Sequence, residues 1–183
     1  TPAVAGGMVI AASTSGGIYA FDEQTGQRMW IITTLSQIYS SPAVSDGTVF
    51  IGSAGFHRAT FMYAIDLRSG DVLWRYATSQ VLSSPAVDNG VVYFGNRDGS
   101  LSALDEKTGA VVWRFEAGSS IRSSPAVWKD TVYFGTNLGT FYAVDAVTGE
   151  EKWSFSTAAG VRSSAAFSNG TVYFGSDDGR LYA

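Results

Sequence analysis

An eleven-residue pattern that returns about every 40 residues, turn signals between short apolar runs, and no stretch of helical periodicity predict an all-β fold. The expected architecture is a β-propeller of four-stranded antiparallel blades, four complete and a fifth lacking its outer strand. The pattern is clearest in residues 103–113, ALDEKTGAVVW, with near copies AFDEQTGQRMW at 20–30, AIDLRSGDVLW at 64–74 and AVDAVTGEEKW at 143–153. In each copy Ala leads, Asp stands third, Gly seventh and Trp eleventh: Ala20, Asp22, Gly26, Trp30; Ala64, Asp66, Gly70, Trp74; Ala103, Asp105, Gly109, Trp113; Ala143, Asp145, Gly149, Trp153. The tryptophans are 44, 39 and 40 residues apart, and Ala183 opens a fifth copy.

One unit illustrates the elements in order. SPAV (residues 84–87) starts a short strand A, Asp88-Asn89-Gly90 turns it, and VVYFG (91–95) runs back as strand B. Asn-Gly between apolar runs is a strong hairpin signal because both turn residues must tolerate positive φ. A second turn containing Asp98-Gly99 leads to LSALD, strand C, and Lys107-Thr108-Gly109 turns that into VVWRF, strand D. The same order places blades at about 1–33, 41–77, 84–117, 124–157 and 164–183, the last one partial. The second unit has four extra residues in its B-to-C turn, within 53–60. No linker or composition shift separates the units, so one domain spanning 1–183 is expected, either whole or as part of a larger propeller.

Composition narrows the function classes. The apolar fraction of 45% and aromatic fraction of 14% rule out disorder, while 21 glycines suit many tight turns. A net charge of -4 argues against a nucleic-acid or anionic-membrane surface. No apolar run approaches the roughly 20 residues needed to span a bilayer, which argues against direct membrane insertion. The absence of cysteine excludes disulfides and thiolate metal sites. No signal peptide is present, and a first residue Thr1 is compatible with one having been removed.

The repeated residues read as structural. Each motif Asp sits where its carboxylate can accept backbone N–H bonds from the following turn, and each motif Gly supplies the positive φ of that turn. Four copies at four turns speak against a metal or acid-base role. The paired serines at 40, 41, 83, 84, 123, 124, 163 and 164, beside the strand-A prolines, are expected to line the propeller axis, where only small side chains fit.

AxDxxTGxxxW, joined to SSPAV and VYFG, resembles the quinoprotein-type, or pyrroloquinoline-quinone-like (PQQ-like), propeller repeat family over essentially the whole chain. The WD-repeat signature is absent. The resemblance implies that each motif Trp docks against the neighbouring blade. It also implies likeness to the outer-membrane barrel-assembly propeller lipoprotein and to extracytoplasmic sensor domains, and with it a periplasmic or extracellular location. Quinone-dependent dehydrogenases of the family use PQQ with calcium, a catalytic Asp and often a vicinal disulfide. This chain has no cysteine and no acidic cluster assignable as a calcium site, so no catalytic, cofactor-binding or metal residue is expected. A fragment of a PQQ-dependent dehydrogenase is the alternative.

Function is therefore sought where the repeats differ. The residue just before each Ser pair varies as Tyr39, Leu82, Arg122 and Arg162, and the B-to-C turns vary as well, contributing His57, Arg58, Arg97, Asp98, Leu138 and Asp178. In an up-down blade the D-to-A connections and B-to-C turns emerge on one face. Aromatic, aliphatic and Arg side chains together are the composition of a protein-binding patch, so the expectation is a non-catalytic scaffold that binds a protein partner there. His57 is a lone histidine in a turn, without the partners of a hydrolytic triad. The count of strands leaves three arrangements open: a five-bladed ring with an exposed strand C, an arc of a larger ring, or completion by a second chain, so a homo-oligomer through the open blade edge is also to be expected.

Overall fold

The computed structural model of the protein describes residues 1–55 and 59–183, and in these it contains strands and turns but no helix. The first sheet is β1 (Ala3–Ala5), β2 (Met8–Ala12), β3 (Gly17–Asp22) and β4 (Arg28–Thr33). The second is β5 (Ala43–Ser45), β6 (Thr48–Gly52), β7 (Thr60–Asp66) and β8 (Val72–Thr78), and the third β9 (Ala86–Asp88), β10 (Val91–Gly95), β11 (Ser100–Asp105) and β12 (Val111–Glu116). The fourth is β13 (Ala126–Val127), β14 (Thr131–Gly135), β15 (Thr140–Asp145) and β16 (Glu151–Ser156). A fifth sheet has three strands, β17 (Ala166–Ser168), β18 (Thr171–Gly175) and β19 (Leu181–Tyr182). Each sheet is an antiparallel meander in chain order, the four-stranded blade and three-stranded final blade that the repeat predicts. The innermost strands β1, β5, β9 and β13 touch one another in succession.

The register explains the leading Ala of the motif. Tyr93 on β10 pairs with Ala103 on β11, which pairs with Trp113 on β12, and Phe50, Ala64 and Trp74 repeat the arrangement. The Ala is buried between two large side chains, and a β-bulge follows it directly in every complete blade, between Ala103 and Leu104 in the third. A bulge increases local twist. Asn89 (φ 47°) and Gly90 (φ 77°) form the expected positive-φ hairpin turn.

Successive side chains of a strand point to opposite faces, so each sheet contributes to two cores. Met8, Ile10 and Ile18 of the first sheet pack with Val49, Ile51 and Ile65 of the second. Phe50 and Met62 turn the other way onto Val92, Phe94 and Leu104 of the third. Tyr93, Leu101 and Trp113 then meet Val132, Phe134 and Val144 of the fourth, and Phe141 stacks on Phe174 of the fifth with ring centroids 3.8 Å apart.

The motif tryptophans stitch these layers together. Trp30 Nε1 donates to Leu67 O, Trp74 Nε1 to Glu106 O and Trp113 Nε1 to Ala146 O, each at 2.9 Å and each in the next blade's C-to-D turn. The motif glycines therefore have two roles. Gly109 carries a φ of 70°, and a Cβ there would also lie 2.7 Å from the ring of Trp74. The motif aspartates cap their own turns: Asp105 Oδ1 accepts from Thr108 N (2.8 Å), Thr108 Oγ1 (2.7 Å) and Lys107 N (3.2 Å), and these bonds hold its carboxyl below the ordinary range.

The serines depart from the expectation. In three of the four pairs the first serine does not line an axis: Ser40, Ser83 and Ser123 are buried, and each Oγ bridges the N–H and carbonyl of one glycine, Gly52, Gly95 or Gly135. The second links blades, since Ser41 N donates to Ser84 Oγ and Ser84 N to Ser124 Oγ. A short strand A leaves backbone groups unpaired near the axis, and the hydroxyls supply their partners.

Candidate protein-binding face

The D-to-A connections and B-to-C turns are joined by a repeated backbone bond. Ala54 N donates to Gln37 O, Arg97 N to Gln80 O, Asn137 N to Ser120 O and Asp177 N to Gly160 O, at 2.7–2.9 Å. The residue after each acceptor, Ile38, Val81, Ile121 or Val161, is buried. Val81, Ile121 and Val161 lie against Gly52, Gly95 and Gly135, where any Cβ would come within 2.4 Å of them. Because that residue is driven inward, the next one is projected outward. This alternation is what places Tyr39, Leu82, Arg122 and Arg162 on the surface around the axis.

Three of those four converge. Tyr39, Leu82 and Arg122 line a concavity of about 320 Å³ together with Arg97 and Gln80. Tyr39 is 54% exposed and its hydroxyl donates to Gln37 Oε1 at 3.0 Å. Arg97 Nη1 donates to Gln80 Oε1 at 3.0 Å. Arg122 is exposed and forms no ion pair among the described residues.

The other candidates stand apart. Arg162 Nε pairs with Asp177 Oδ2 at 3.2 Å. Asp98 is tied to Arg114 at 3.0 Å and accepts from Ser100 N and Oγ within its own turn. Asp178 accepts from the Tyr182 hydroxyl at 2.7 Å, the main reason its carboxyl is held low, and from Arg180 N at 3.0 Å. Leu138 is 79% exposed at a turn tip. His57 and Arg58 lie outside the described residues. Gln80 belongs to the concavity but was not among the candidates. Its signal was present in the sequence, because the column Gln37, Gln80, Ser120, Gly160 varies from blade to blade as the chosen one does.

The family model described as outer membrane protein assembly factor BamB matches residues 1–83 and 58–183. The fold is similar to that of BamB from Moraxella catarrhalis, with a TM-score of 0.85 at 23% identity over 99% of this chain and 56% of that one. It is also similar to the quinohemoprotein alcohol dehydrogenase ADHIIG from Pseudomonas putida HK5, with a TM-score of 0.72 at 21% identity over 85% of this chain and 34% of that one. The serine/threonine-protein kinase AfsK of Streptomyces coelicolor is 32% identical over 74 residues, which are 38% of this chain and 9% of the kinase. The chain thus spans little more than half of the bacterial propeller and a small part of the kinase.

Proposed function

The chain belongs to the propeller-repeat family described as outer membrane protein assembly factor BamB, and from that premise we propose that it is a non-catalytic scaffold that holds a protein partner at the concavity lined by Tyr39, Leu82 and Arg122. The observation that carries this reading is the convergence itself. One variable residue from each of three successive blade connections reaches the same hollow, and the lining joins an aromatic ring, an aliphatic side chain and guanidinium groups. Interfaces take their energy from a few such anchors in a concave setting. A periplasmic or extracellular location goes with this reading and has the family description in its support.

The similarity to a quinohemoprotein dehydrogenase favours a second reading, in which PQQ and calcium bind. Calcium takes six or more oxygen ligands gathered at one point. Asp98, Asp177 and Asp178 are instead engaged by Arg114, Arg162 and Tyr182, and no three His, Cys, Asp or Glu side chains cluster among the described residues. Among the described residues the donor set does not fit calcium. Thermal unfolding with added PQQ and calcium ion is expected to be unchanged; a ligand at about a hundredfold excess over its dissociation constant would add about 2.7 kcal/mol and revive the dehydrogenase reading.

The scaffold reading is tested by placing a photo-crosslinking residue at Leu82 and, as a control at the opposite end of the blades, at Lys107, in cells of the native host. Protein adducts from position 82 and none from 107 are expected. Equal labelling from both positions, or none from 82, would overturn it.

A further inference from the structure

We infer that Asn169 is a site of spontaneous covalent modification, at which the backbone nitrogen of Gly170 displaces the side-chain amide as ammonia and the residue ends as aspartate or isoaspartate.

The step balances without a cofactor. Gly170 N gives its proton to solvent and bonds to Asn169 Cγ, while the Cγ–Nδ2 bond breaks and ammonia leaves. The product is a cyclic imide. Water then opens it at either carbonyl: opening on the side-chain side restores the original backbone with an aspartate, and opening on the main-chain side reroutes the chain through Cβ and Cγ as isoaspartate. Overall, water is consumed and ammonia released.

The chain has four asparagines, at 89, 96, 137 and 169, and glycine follows only Asn89 and Asn169. A side chain on the following residue shields the attacking nitrogen, which disfavours Asn96 before Arg97 and Asn137 before Leu138. Asn96 is also fully buried, with Nδ2 donating to the hydroxyls of Ser100 and Ser102 at 3.0 Å. The two Asn-Gly turns share one backbone. Asn89 and Asn169 have φ of 47° and 49°, Gly90 and Gly170 have φ of 77° and 83°, and a Cβ on either glycine would meet nothing within 4 Å. Both asparagines are exposed. What separates them is the amide. Asn89 Nδ2 donates to Asp88 Oδ2 at 2.8 Å, a charge-assisted bond that must break before the amide can turn onto Gly90 N. The residue before Asn169 is Ser168, and the Asn169 amide makes no hydrogen bond among the described residues, so it is free to turn.

The isoaspartyl product would alter more than charge. Strands β17 and β18 pair Phe167 with Val172 and Ser168 with Thr171 around this turn, and turn length sets the register of a hairpin. An isoaspartyl link adds a carbon to the turn. Phe167 also stacks on Trp128 of the fourth blade, with ring centroids 5.6 Å apart, so the change is passed to the joint between the fourth and fifth blades.

The test incubates the whole chain at mildly alkaline pH and follows aspartate and isoaspartate at each asparagine by peptide mapping and mass spectrometry. Position 169 is expected to convert on the order of tenfold faster than 89, the effect of releasing one charge-assisted hydrogen bond, and 96 and 137 more slowly still. Asp88→Ser should bring Asn89 towards the rate of Asn169, and Ser168→Asp should slow Asn169, with circular dichroism verifying that both variants fold. In concentrated urea, where the Asp88 bond is lost, the rates at 89 and 169 are expected to converge. Equal rates in the folded chain, or a gap that both variants leave unchanged, would overturn the inference. A gap that persists undiminished in urea would overturn it too, by tracing the difference to the local sequence rather than to the folded turn.

Discussion

The joint between the third and fourth blades and the joint between the fourth and fifth start from the same motif and end differently. Trp113 is 8% exposed, donates to Ala146 O and lies against Gly149. Trp153, in the same motif position one blade later, is 40% exposed. Trp153 still touches Tyr133 and Phe141 of its own blade. The comparison separates the motif into two halves of a joint. The Trp is the plug, and the carbonyl and glycine of the next blade's turn are the socket.

The largest expected effect exploits that difference directly. Trp113→Ala should cost about 3–5 kcal/mol in chemical denaturation. Trp153→Ala, which removes a ring left 40% exposed, should cost only about 1–2 kcal/mol. Equal losses would break the comparison and put the value of the Trp in its own blade.

The socket can be altered instead. Gly149 has a φ of 74°, and a Cβ would lie 2.6 Å from the ring of Trp113, whereas Gly90, with a φ of 77°, has no neighbour within 4 Å of that point. Gly90→Ala should therefore cost about 1–2 kcal/mol for the left-handed backbone alone. Gly149→Ala adds overpacking of about 1–3 kcal/mol. A match between the two losses would show that backbone conformation, rather than the Trp seat, fixes the residue.

The serine bridges extend the contrast to the inner strands. Ser123 is buried and satisfies both backbone groups of Gly135, so Ser123→Ala should cost about 1–3 kcal/mol. Ser163 makes the same bonds to Gly175 from a half-buried position, where water can take over, and its substitution by Ala should cost less than about 1 kcal/mol.

Acid should produce the smallest and most local effect. Asp145 caps the turn that carries the Ala146 socket, and the N–H of Thr148, followed by Lys152 and the N–H of Val147, lowers its pKa to about 2. A depressed carboxyl stabilises the fold above its ordinary pKa, and that stabilisation is lost as pH falls from 3.8 towards about 2. Fluorine-labelled tryptophan followed by NMR should show Trp113 responding in this window while Trp153 does not. A simultaneous change at both would mean that the acid transition is global.

Local chemistry made much of this legible in advance. The Asn89-Gly90 turn, the Asp caps and the apolar runs all act over a few residues, so they write themselves into adjacent positions. The column Tyr39, Leu82, Arg122, singled out because it differs among otherwise similar blade connections, lines one concavity in the structure. Gln80 was overlooked two positions earlier, since nothing local indicates that its side chain steadies Arg97. The buried serines Ser40, Ser83 and Ser123 were misjudged for a related reason. Their partners Gly52, Gly95 and Gly135 lie 12 positions away, across a hairpin, and a small polar residue beside proline reads equally well as lining or as bridge.

By itself, then, the sequence determined the blade, its four strands and their turns, because hydrogen-bonding and backbone preferences between near neighbours are the same wherever the unit sits. Only the tertiary structure decided which tryptophans are seated, which serine bridges are dry, and that Tyr39, Leu82, Arg97 and Arg122 line one hollow. Those outcomes depend on contacts between units about 40 residues apart in a nearly repeating chain, where equivalent residues look alike and differ physically only in what the next blade brings to them.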